Sequence, residues 1–277
     1  MDLVSKTVRP RALGFDFEVL ADDLVIGPAI ERGSWADDET LLFRAHVAAG
    51  DRVLDLGANV GWFAVQAILA GAEVHAFEPV PAIADICERN MRRAEKVGKG
   101  RGILQRMAAG ETRARATIVL AARNHGDNRV VAPGELPRDM RDAEQVEIEV
   151  APVDELVQGP VSFIKIDTQG SEWLALSGAR KLLAASPEVA LLLEFWPYAL
   201  RGATGAQLLE FLFQQGFTVG KATQAPYPMD AQRILRQALV RDPVRGGIDL
   251  YATRGRPFHV TSPLNRLRSF VRSIREP

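Results

Sequence analysis

A short turn between two predicted strands carries the residue types that hold a nucleotide. The sequence from 53 to 61, Val-Leu-Asp-Leu-Gly-Ala-Asn-Val-Gly, ends an apolar run and then turns on Gly57 and Gly61. The next apolar run ends at Glu78, which Pro79 follows. In a βαβ unit, glycines let the chain turn beside a ligand, and an acid at the end of the second strand binds ribose hydroxyls. This spacing predicts a nucleotide-binding unit, and we call residues 57–61 the glycine turn.

Charge around the glycine turn indicates which nucleotide is bound. A dinucleotide site needs glycine at the position of Asn59, so that the backbone can approach a pyrophosphate. The carboxylate of Asp55, just before the turn, repels phosphate and attracts a cation. S-adenosylmethionine has a ribose, an ammonium and a sulfonium group but no phosphate. The residues therefore favour this methyl donor over NAD.

Two acids stand at the ends of other predicted strands, where the ligands of open α/β sheets bind. Asp167 ends one strand and shares a face with Lys165, since side chains alternate along a strand. A neighbouring ammonium group stabilises the carboxylate and makes it a poorer base. We therefore interpret Asp167 first as a residue that shapes the donor and acceptor site, and second as a proton acceptor. Glu194 ends another apolar run, and a buried acid needs either a protein partner or a substrate.

Two further residues are candidates for proton transfer. Glu172 begins a predicted helix, where it is either a first-turn acid favoured by the helix dipole or a catalytic group. His125 lies in a polar loop and titrates near neutral pH, with a merely solvated side chain as the alternative. Methyl transfer by in-line displacement needs an acceptor oxygen held in line and the removal of its proton. The catalytic candidates are Asp167, Glu172, Glu194 and His125.

The elements that position these residues alternate between strand and helix, which is typical of a parallel sheet. Apolar runs predict strands at 53–56, 73–77, 102–107, 161–167, 188–195 and 217–221. Helical spacing predicts helices at 38–48, 61–70, 81–97, 171–184 and 204–215. The pattern predicts an α/β fold with a doubly wound, mostly parallel, Rossmann-like sheet.

Two departures from that rhythm are predicted. Segments 115–121 and 145–151 alternate polar and apolar residues, which predicts a hairpin insertion over the site. The sequence predicts that residues 223–246 have no regular secondary structure. Residues 248–253 are predicted to form the last strand, which joins the sheet in the antiparallel direction.

Motifs in a fixed order carry a family resemblance. They are Asp55 to Gly61, Ala76 to Pro79, Asn90, Pro152 to Leu156, Ile164 to Glu172, Gly178-Ala179 and Leu193-Glu194. The chain resembles the FkbM family of S-adenosylmethionine-dependent methyltransferases over roughly residues 50 to 220.

The resemblance implies a seven-stranded methyltransferase sheet and S-adenosyl-L-methionine as the cofactor. The donor-binding residues it implies are Asp55, Gly57, Ala58, Asn59, Gly61, Glu78, Pro79, Ala108 and Asp167. The family more often has Val-Glu where this chain has Thr168-Gln169, so residue 169 receives no catalytic role.

Composition agrees with one enzyme domain. The 277 residues are 47% hydrophobic and 25% charged, enough for a full α/β core. A net charge of −1 attracts no nucleic acid, and the single cysteine, Cys87, fits a reducing compartment. No apolar stretch is long enough to span a membrane, so we expect a cytoplasmic protein. No cysteine pair or H-E-x-x-H motif predicts a zinc site, and two carboxylates alone do not establish magnesium.

We expect three parts: a cover segment at 1–48, the methyltransferase domain at 49–254 and a basic amphipathic tail at 255–277. The tail suits either contact with an anionic membrane or docking on its own domain or on a second subunit of a homodimer. The expected acceptor is a small molecule or glycan, and Trp35 and Tyr227 would permit stacking on a sugar.

The function expected from these observations is O-methylation of a hydroxyl group of a sugar, glycan or secondary metabolite. A non-catalytic donor-binding partner protein is one alternative. A nicotinamide oxidoreductase is another, disfavoured by Asn59.

Overall fold

The computed structural model describes residues 3–11, 13–132, 136, 140, 142–239 and 247–258. The described strands are β1 (Ser5–Val8), β2 (Phe17–Leu20), β3 (Arg52–Leu56), β4 (Glu73–Phe77), β5 (Arg101–Gln105), β6 (Ala108–Ala109), β7 (Ala114–Val119), β8 (Arg129–Val131), β9 (Gln145–Ala151), β10 (Phe163–Ile166), β11 (Val189–Phe195), β12 (Thr218–Lys221) and β13 (Ile248–Arg254). The described helices are α1 (Ile26–Arg32), α2 (Asp37–His46), α3 (Trp62–Ala70), α4 (Pro81–Glu95), α5 (Val153–Leu156), α6 (Glu172–Ser177), α7 (Arg180–Ala185), α8 (Gly205–Gln214) and α9 (Ala231–Leu239).

The central sheet has seven described strands in the order β12-β13-β11-β10-β3-β4-β5. The five strands from β5 to β11 are parallel, and β13 is antiparallel to both β11 and β12. The predicted α/β fold with a mostly parallel sheet is confirmed. The chain winds from β3 outward to β5 and then returns to β10, so the strand order reverses between β3 and β10. A crevice opens at such a reversal, beyond the carboxyl ends of the strands.

Apolar runs in the middle strands explain why they occupy the centre. Helices cover both faces of a parallel sheet, so its strands need to be apolar on both sides. In β3 the neighbours Val53 and Leu54 are fully buried, although they point to opposite faces. In β10 the same holds for Phe163 and Ile164. The two faces carry two separate hydrophobic clusters.

The insertion, residues 114–151, forms most of a second sheet at the rim of the crevice. Its four described strands lie in the order β6-β9-β7-β8. The two alternating segments pair with each other, since β7 is antiparallel to β9, and the short strand β8 extends the sheet on the other side of β7. The loop between β7 and β8 carries His125 towards the crevice.

Part of the segment predicted to be irregular is a helix, and that prediction was wrong for residues 231–239. The carboxylate of Asp230 accepts a hydrogen bond from the backbone N–H of Arg233 at 2.8 Å, as a helix cap does. Ile234 and Ala238, one turn apart, are buried. Two buried residues in a largely polar segment make too short a periodic pattern to predict a helix from the sequence.

The helix predicted over 171–184 is two helices, α6 and α7, that meet at Gly178. A Cβ on Gly178 would lie 1.9 Å from the carbonyl oxygen of Gly110, so only glycine allows this approach. Asp154 then caps α7 by accepting hydrogen bonds from the N–H groups of Lys181 and Leu182 at 2.9 and 2.8 Å. The motif from Pro152 to Leu156 is therefore structural.

The described part of the cover segment packs on the core beside the glycine turn. Asn90 of α4 is fully buried, and its side-chain amide donates to the carbonyls of Glu18 and Val60, both at 2.8 Å. One side chain thus joins β2 to the turn. The domain limits at residues 48 and 254 stay predictions, and residues 259–277 of the predicted tail lie outside the described residues. Within the described part of the chain, no helix combines the length and apolarity needed to cross a membrane.

Candidate functional site

A cavity of about 1030 Å³ lies beyond the carboxyl ends of β3, β4, β10 and β11. The cover segment and the insertion close its sides. Of the residues predicted to bind the donor or to act in catalysis, those that line it are Gly57, Ala58, Asn59, Glu78, Pro79, Ala108, His125, Asp167 and Glu194. Three others do not line it: Asp55, Gly61 and Glu172.

Glu78 is held as an anchored acid at the end of β4. Its side chain accepts hydrogen bonds from the backbone N–H of Val80 at 2.9 Å and of Asn59 at 3.0 Å, one on each oxygen. Burial raises the pKa of Glu78 to about 7, although these two hydrogen bonds favour the charged form. Each carboxylate oxygen keeps a second lone pair, so this acid can still accept from the hydroxyls of a ribose.

Asn59 combines a turn role with a contact to the insertion. Its φ is 50°, in the left-handed region that asparagine tolerates better than most residues. Its Oδ1 accepts from the N–H of Val60 at 2.8 Å, and its Nδ2 donates to the carbonyl of His125, also at 2.8 Å. The glycine turn and the insertion are thus joined by one side chain.

Asp55 and Gly61 lie behind the turn and do not line the cavity, and their role in donor binding stays a prediction. Asp55 is fully buried, and its Oδ2 accepts from the N–H of Ala64 in the first turn of α3 at 3.0 Å. Burial raises the pKa of Asp55 to about 6, while the charge of Lys165 opposes that shift. Gly61 has a φ of 88°, and a Cβ there would lie 3.0 Å from the Sγ of Cys87. The hydrogen bond to α3 gives Asp55 a structural role, and the positive φ and the close approach to Cys87 require glycine at position 61.

Gly57 brings the turn against the end of β10. A Cβ at this position would lie 1.9 Å from the carbonyl oxygen of Asp167, so any other residue would separate the two. The Asp167 side chain accepts from the ammonium of Lys165 at 3.1 Å. The predicted pairing of these two residues is confirmed.

Gln169, which received no role from the sequence, lies between two carboxylates. Its side-chain amide donates to Oδ1 of Asp167 at 2.6 Å and to Oε2 of Glu194 at 2.9 Å. Its φ of 51° is a strained value for a residue of this type, and such strain is concentrated at functional sites. The bridge holds the acids from two adjacent strands at one wall of the cavity.

The charges in this group separate the tasks of the two acids. Burial alone would lower the pKa of Lys165, but the carboxylates of Asp167 and Asp55 raise it above its ordinary value. Lys165 therefore stays charged and pairs with Asp167. Burial raises the pKa of Glu194 well above its ordinary value, and repulsion from Asp167 and Glu172 raises it further. Glu194 is therefore protonated more readily than an ordinary glutamate.

Glu172 braces the loop that carries Gln169 and does not line the cavity. The side chain is fully buried, and its Oε1 accepts from the N–H groups of Thr168 and Gly170, both at 3.0 Å. Burial raises the pKa of Glu172 to about 7, against the effect of these hydrogen bonds. One carboxylate oxygen thus binds the backbone of this loop, and the catalytic role of Glu172 stays a prediction.

His125 is buried rather than solvated, with 2% of its surface exposed. Its backbone N–H donates to Asp23 at 2.9 Å, and its Nε2 lies 3.2 Å from a carboxylate oxygen of Asp22. The other ring nitrogen, Nδ1, has no hydrogen-bond partner among the described residues. The cover segment thus fixes the position of the insertion loop through this histidine.

Glu39 and Asp249 form a carboxyl pair that sequence reasoning missed. Both line the cavity, and each carboxylate lies close enough to the other to affect its pKa. Burial raises the pKa of each, and Asp249 also lies opposite Glu194 in the pairing of β11 with β13. No local pattern links an acid near the start of the chain to one near its end. In the described part of the chain, no group of three or more acid, histidine or cysteine side chains has an arrangement suited to a metal ion.

Arginines join the insertion to the loop after β11. The Arg129 guanidinium lies 4.8 Å from the ring centre of Trp196 and pairs with Asp127 at 2.8 Å. The Nη1 of Arg201 donates to the carbonyl of Val130 at 2.9 Å. Arg129, Arg201 and Trp196 all line the cavity, so this junction forms its wall on the side of the insertion.

The sheet is doubly wound and has an antiparallel last strand. Acids lie at the carboxyl ends of β4, β10 and β11. Together these features define a Rossmann-like methyltransferase domain. The model of the methyltransferase FkbM domain matches residues 55–219, which is more than half of the chain. The chain belongs to the FkbM methyltransferase family, whose methyl donor is S-adenosyl-L-methionine.

Solved structures resemble this chain at low sequence identity. A methyltransferase FkbM from Methylobacillus flagellatus is 19% identical, with a TM-score of 0.44, and the match covers 73% of this chain and 43% of that protein. A magnesium protoporphyrin IX methyltransferase from Synechocystis, solved with bound S-adenosylmethionine, is 13% identical, with a TM-score of 0.46 and coverage of 84% and 85%. A TehB-like methyltransferase from Corynebacterium glutamicum is 14% identical, with a TM-score of 0.44 and coverage of 82% and 91%. This chain thus spans less than half the length of the similar FkbM structure. No curated protein sequence matches it significantly.

The residues of the cavity fit S-adenosylmethionine. Glu78 offers an acid to ribose hydroxyls, and Asp167 and Glu194 offer negative charge to a sulfonium or ammonium group. The glycine turn contains no basic residue that would bind a pyrophosphate. The cavity volume of about 1030 Å³ lies at the upper end of the range for ligand sites and leaves room for an acceptor.

Proposed function

We propose that this chain is an S-adenosylmethionine-dependent O-methyltransferase. The acceptor is a hydroxyl group of a sugar, glycan or secondary metabolite, and transfer occurs by in-line displacement. The observation that carries this proposal is the placement of Asp167 and Glu194, bridged by Gln169, against the glycine turn at one wall of the cavity.

When bound, S-adenosylmethionine supplies a methyl group that its sulfonium already activates for displacement. The task of the protein is then to position the acceptor oxygen and remove its proton. Glu78 holds the ribose through the hydroxyls, and Asp167, paired with Lys165, places a fixed negative charge beside the cationic part of the donor.

We assign proton removal to Glu194. Its pKa is raised well above the ordinary value, mainly by burial, so the carboxylate is a stronger base than an exposed glutamate. Gln169 donates to one of its oxygens and fixes the side chain beside Asp167. His125 stays a second candidate, since it lines the cavity and its Nδ1 has no partner among the described residues.

The walls formed by the cover segment and the insertion support a polyhydroxylated acceptor. Asn124, Asn128 and Asp127 supply hydrogen-bonding groups, and Trp35 and Trp196 supply aromatic surface. Amide and carboxylate groups bind sugar hydroxyls, while flat aromatic rings pack against the apolar faces of a sugar ring. Tyr227, the other residue considered for stacking, belongs to the hydrophobic core instead.

The test uses the purified chain with methyl-labelled S-adenosylmethionine and a fractionated extract of glycans and metabolites. We expect label in a product whose new methyl group is an ether, and we expect S-adenosylhomocysteine but not NADH to bind in titrations. The variant Asp167→Asn should lose transfer, and Glu188→Gln, an exposed acid just before β11, serves as the matched control. Binding of S-adenosylhomocysteine with no labelled product in any fraction would leave a donor-binding protein without catalysis.

A further inference from the structure

The cavity contains a cation that no acid of the described structure neutralises. Three lysine or arginine side chains line the cavity: Lys165, Arg129 and Arg201. Lys165 pairs with Asp167 at 3.1 Å and Arg129 with Asp127 at 2.8 Å. Among the described residues, no carboxylate lies within ion-pair distance of Arg201. Its charge is therefore available to a ligand.

Arg201 is held in place without losing its binding capacity. Its Nη1 donates to the carbonyl of Val130 at 2.9 Å, and its backbone N–H donates to the carbonyl of Gly170 at 2.8 Å. A guanidinium group has five N–H donors in a planar fork, which matches the oxygens of a carboxylate or a phosphate. One contact to a carbonyl orients the fork and leaves donors for such a group.

A buried hydroxyl lies on the loop that contacts the backbone of Arg201. Ser171 follows Gly170, lines the cavity and is only 5% exposed, yet its Oγ has no hydrogen-bond partner among the described residues. An unpaired buried polar group costs free energy, so an unsatisfied hydroxyl in a native structure calls for a partner. The backbone hydrogen bond from Arg201 to Gly170 joins the segments that carry these two side chains, and both side chains line the cavity.

The same two loops carry the carboxylates of the proposed transfer site. The loop after β10 runs from Asp167 to Ser171, and a second segment runs from Glu194, near the end of β11, to Arg201. Each segment thus begins with an acid and ends with a donor that suits an anion. A negative group on a ligand is repelled at one end and attracted at the other.

We propose that the methyl acceptor carries an acidic group, a carboxylate or a phosphate, which Arg201 and Ser171 bind while the acceptor hydroxyl faces Glu194. This inference rests on the proposed O-methyl transfer and adds the charge class of its substrate. The acidic group does not react. It fixes the direction in which the acceptor lies across the cavity.

The donor has a carboxylate of its own, so the test separates the two sources of negative charge. The variants are Arg201→Met and Ser171→Ala, with Arg115→Met as the control. Arg115 is an exposed arginine of β7 that pairs with Glu147 and does not line the cavity. For each variant, the dissociation constant of S-adenosylhomocysteine, the melting temperature and methyl transfer are measured. Transfer uses labelled donor and the cell extract, with labelled products separated by anion exchange.

We expect the label in products retained on the anion exchanger, with transfer reduced about tenfold or more in Arg201→Met, as for the loss of a charged hydrogen bond. Affinity for S-adenosylhomocysteine should stay within about twofold of wild type in every variant, since the donor does not use this site. Inorganic phosphate, added at constant ionic strength, should inhibit wild-type transfer and have little effect on Arg201→Met.

Two results would overturn the inference while leaving methyl transfer intact. One is a labelled product that passes the anion exchanger unretained. The other is a loss of S-adenosylhomocysteine affinity in Arg201→Met that matches its loss of transfer, which would assign the cation to the carboxylate of the donor. Absence of label in every fraction with the wild-type protein would instead contradict the proposed reaction. If Arg201→Met does not fold, the same measurements are made on Ser171→Ala, which is a smaller change.

Discussion

The side-chain amide of Asn59 donates a hydrogen bond to the backbone carbonyl of His125 at 2.8 Å, from the glycine turn to the insertion. The same asparagine donates its backbone N–H to Glu78. One residue therefore connects the acid expected to hold the ribose with the loop that closes the acceptor side. We therefore expect donor binding and the position of that loop to be coupled through this contact.

We expect Asn59→Asp to weaken S-adenosylhomocysteine binding by about tenfold, since an unmade buried hydrogen bond costs about 1–3 kcal/mol. Aspartate keeps the oxygen that accepts from Val60 and tolerates the left-handed backbone, but it faces the His125 carbonyl with an acceptor. Titration calorimetry measures the change. The control is Asn124→Asp, which adds the same charge nearby. Equal weakening in both variants would show that charge, and not the lost contact, is responsible.

The pKa of Glu78 predicts how donor affinity depends on pH. Burial raises this pKa to about 7, so the side chain is mostly neutral at pH 6 and mostly ionised at pH 8. A ribose hydroxyl donates more strongly to the ionised form. Affinity for S-adenosylhomocysteine should therefore rise by up to about tenfold from pH 6 to pH 8, the change expected for one coupled group.

The variant Glu78→Gln should remove this rise and bind more weakly at pH 8. The control is Glu73→Gln at the other end of β4. Despite burial, hydrogen bonds from Arg101, His75 and Arg52 hold the pKa of Glu73 at about 2, so it stays ionised throughout this range. A Glu78→Gln protein that keeps the wild-type slope would contradict a ribose contact to this acid.

Glu172 should affect stability and not the chemical step. Its folded-state pKa is raised to about 7 by burial, above the ordinary value of 4.5, so the folded state binds the proton more tightly than the unfolded state. This contribution is fully present below pH 4.5 and is lost as pH rises to about 7, at a cost of at most about 3 kcal/mol.

Glu172→Gln keeps an oxygen for the N–H groups of Thr168 and Gly170 but does not ionise. We expect its free energy of unfolding, relative to wild type, to be higher at pH 8 than at pH 5, measured by urea denaturation. Transfer activity should change by less than about threefold, because the side chain does not line the cavity. Loss of activity with unchanged stability would instead support Glu172 as a catalytic residue.

The two candidate bases are separated by matched substitutions. Glu194→Gln should lower kcat by about 10²–10⁴-fold, the usual contribution of a general base, with donor affinity nearly unchanged. Because the pKa of Glu194 is raised, the wild-type rate should increase with pH as the carboxylate ionises, and the variant should lack this increase. His125→Gln should lower the rate by less than about tenfold, through a looser insertion loop. The reverse order of effects would assign proton removal to His125.

The donor side of the site was accessible from the sequence because its signals are local. Glycines bounding a turn after an apolar run, and an acid at the end of the next run, lie within one βαβ unit, and chain geometry puts them together. Asp167 and Glu194 followed from the same rule, since parallel strands present their carboxyl ends at one edge of the sheet. The structure places both in the cavity wall.

The direction of individual side chains was not accessible in the same way. Asp55 and Glu172 stand at positions that a motif allows, yet each turns its carboxylate onto nearby backbone N–H groups. Whether a short acid faces a ligand or a helix end depends on differences in backbone angle that residue types do not encode. Helix α9 was not predicted from the sequence, because its two buried residues give only a weak helical periodicity.

By itself, the sequence determined the class of fold, the methyl donor and the strand ends at which chemistry is placed, since periodicity and turn residues act over a few neighbouring positions. Only the tertiary structure decided the contact of Asn59 with His125, the approach of Glu39 to Asp249 and the bridge of Gln169 to Glu194. It also decided that, within the described residues, Arg201 lies beside the carbonyl of Val130 and beside no acid. These contacts join segments that are distant in the chain. Their energies depend on the packing of the cover segment and the insertion against the sheet, which no local pattern specifies.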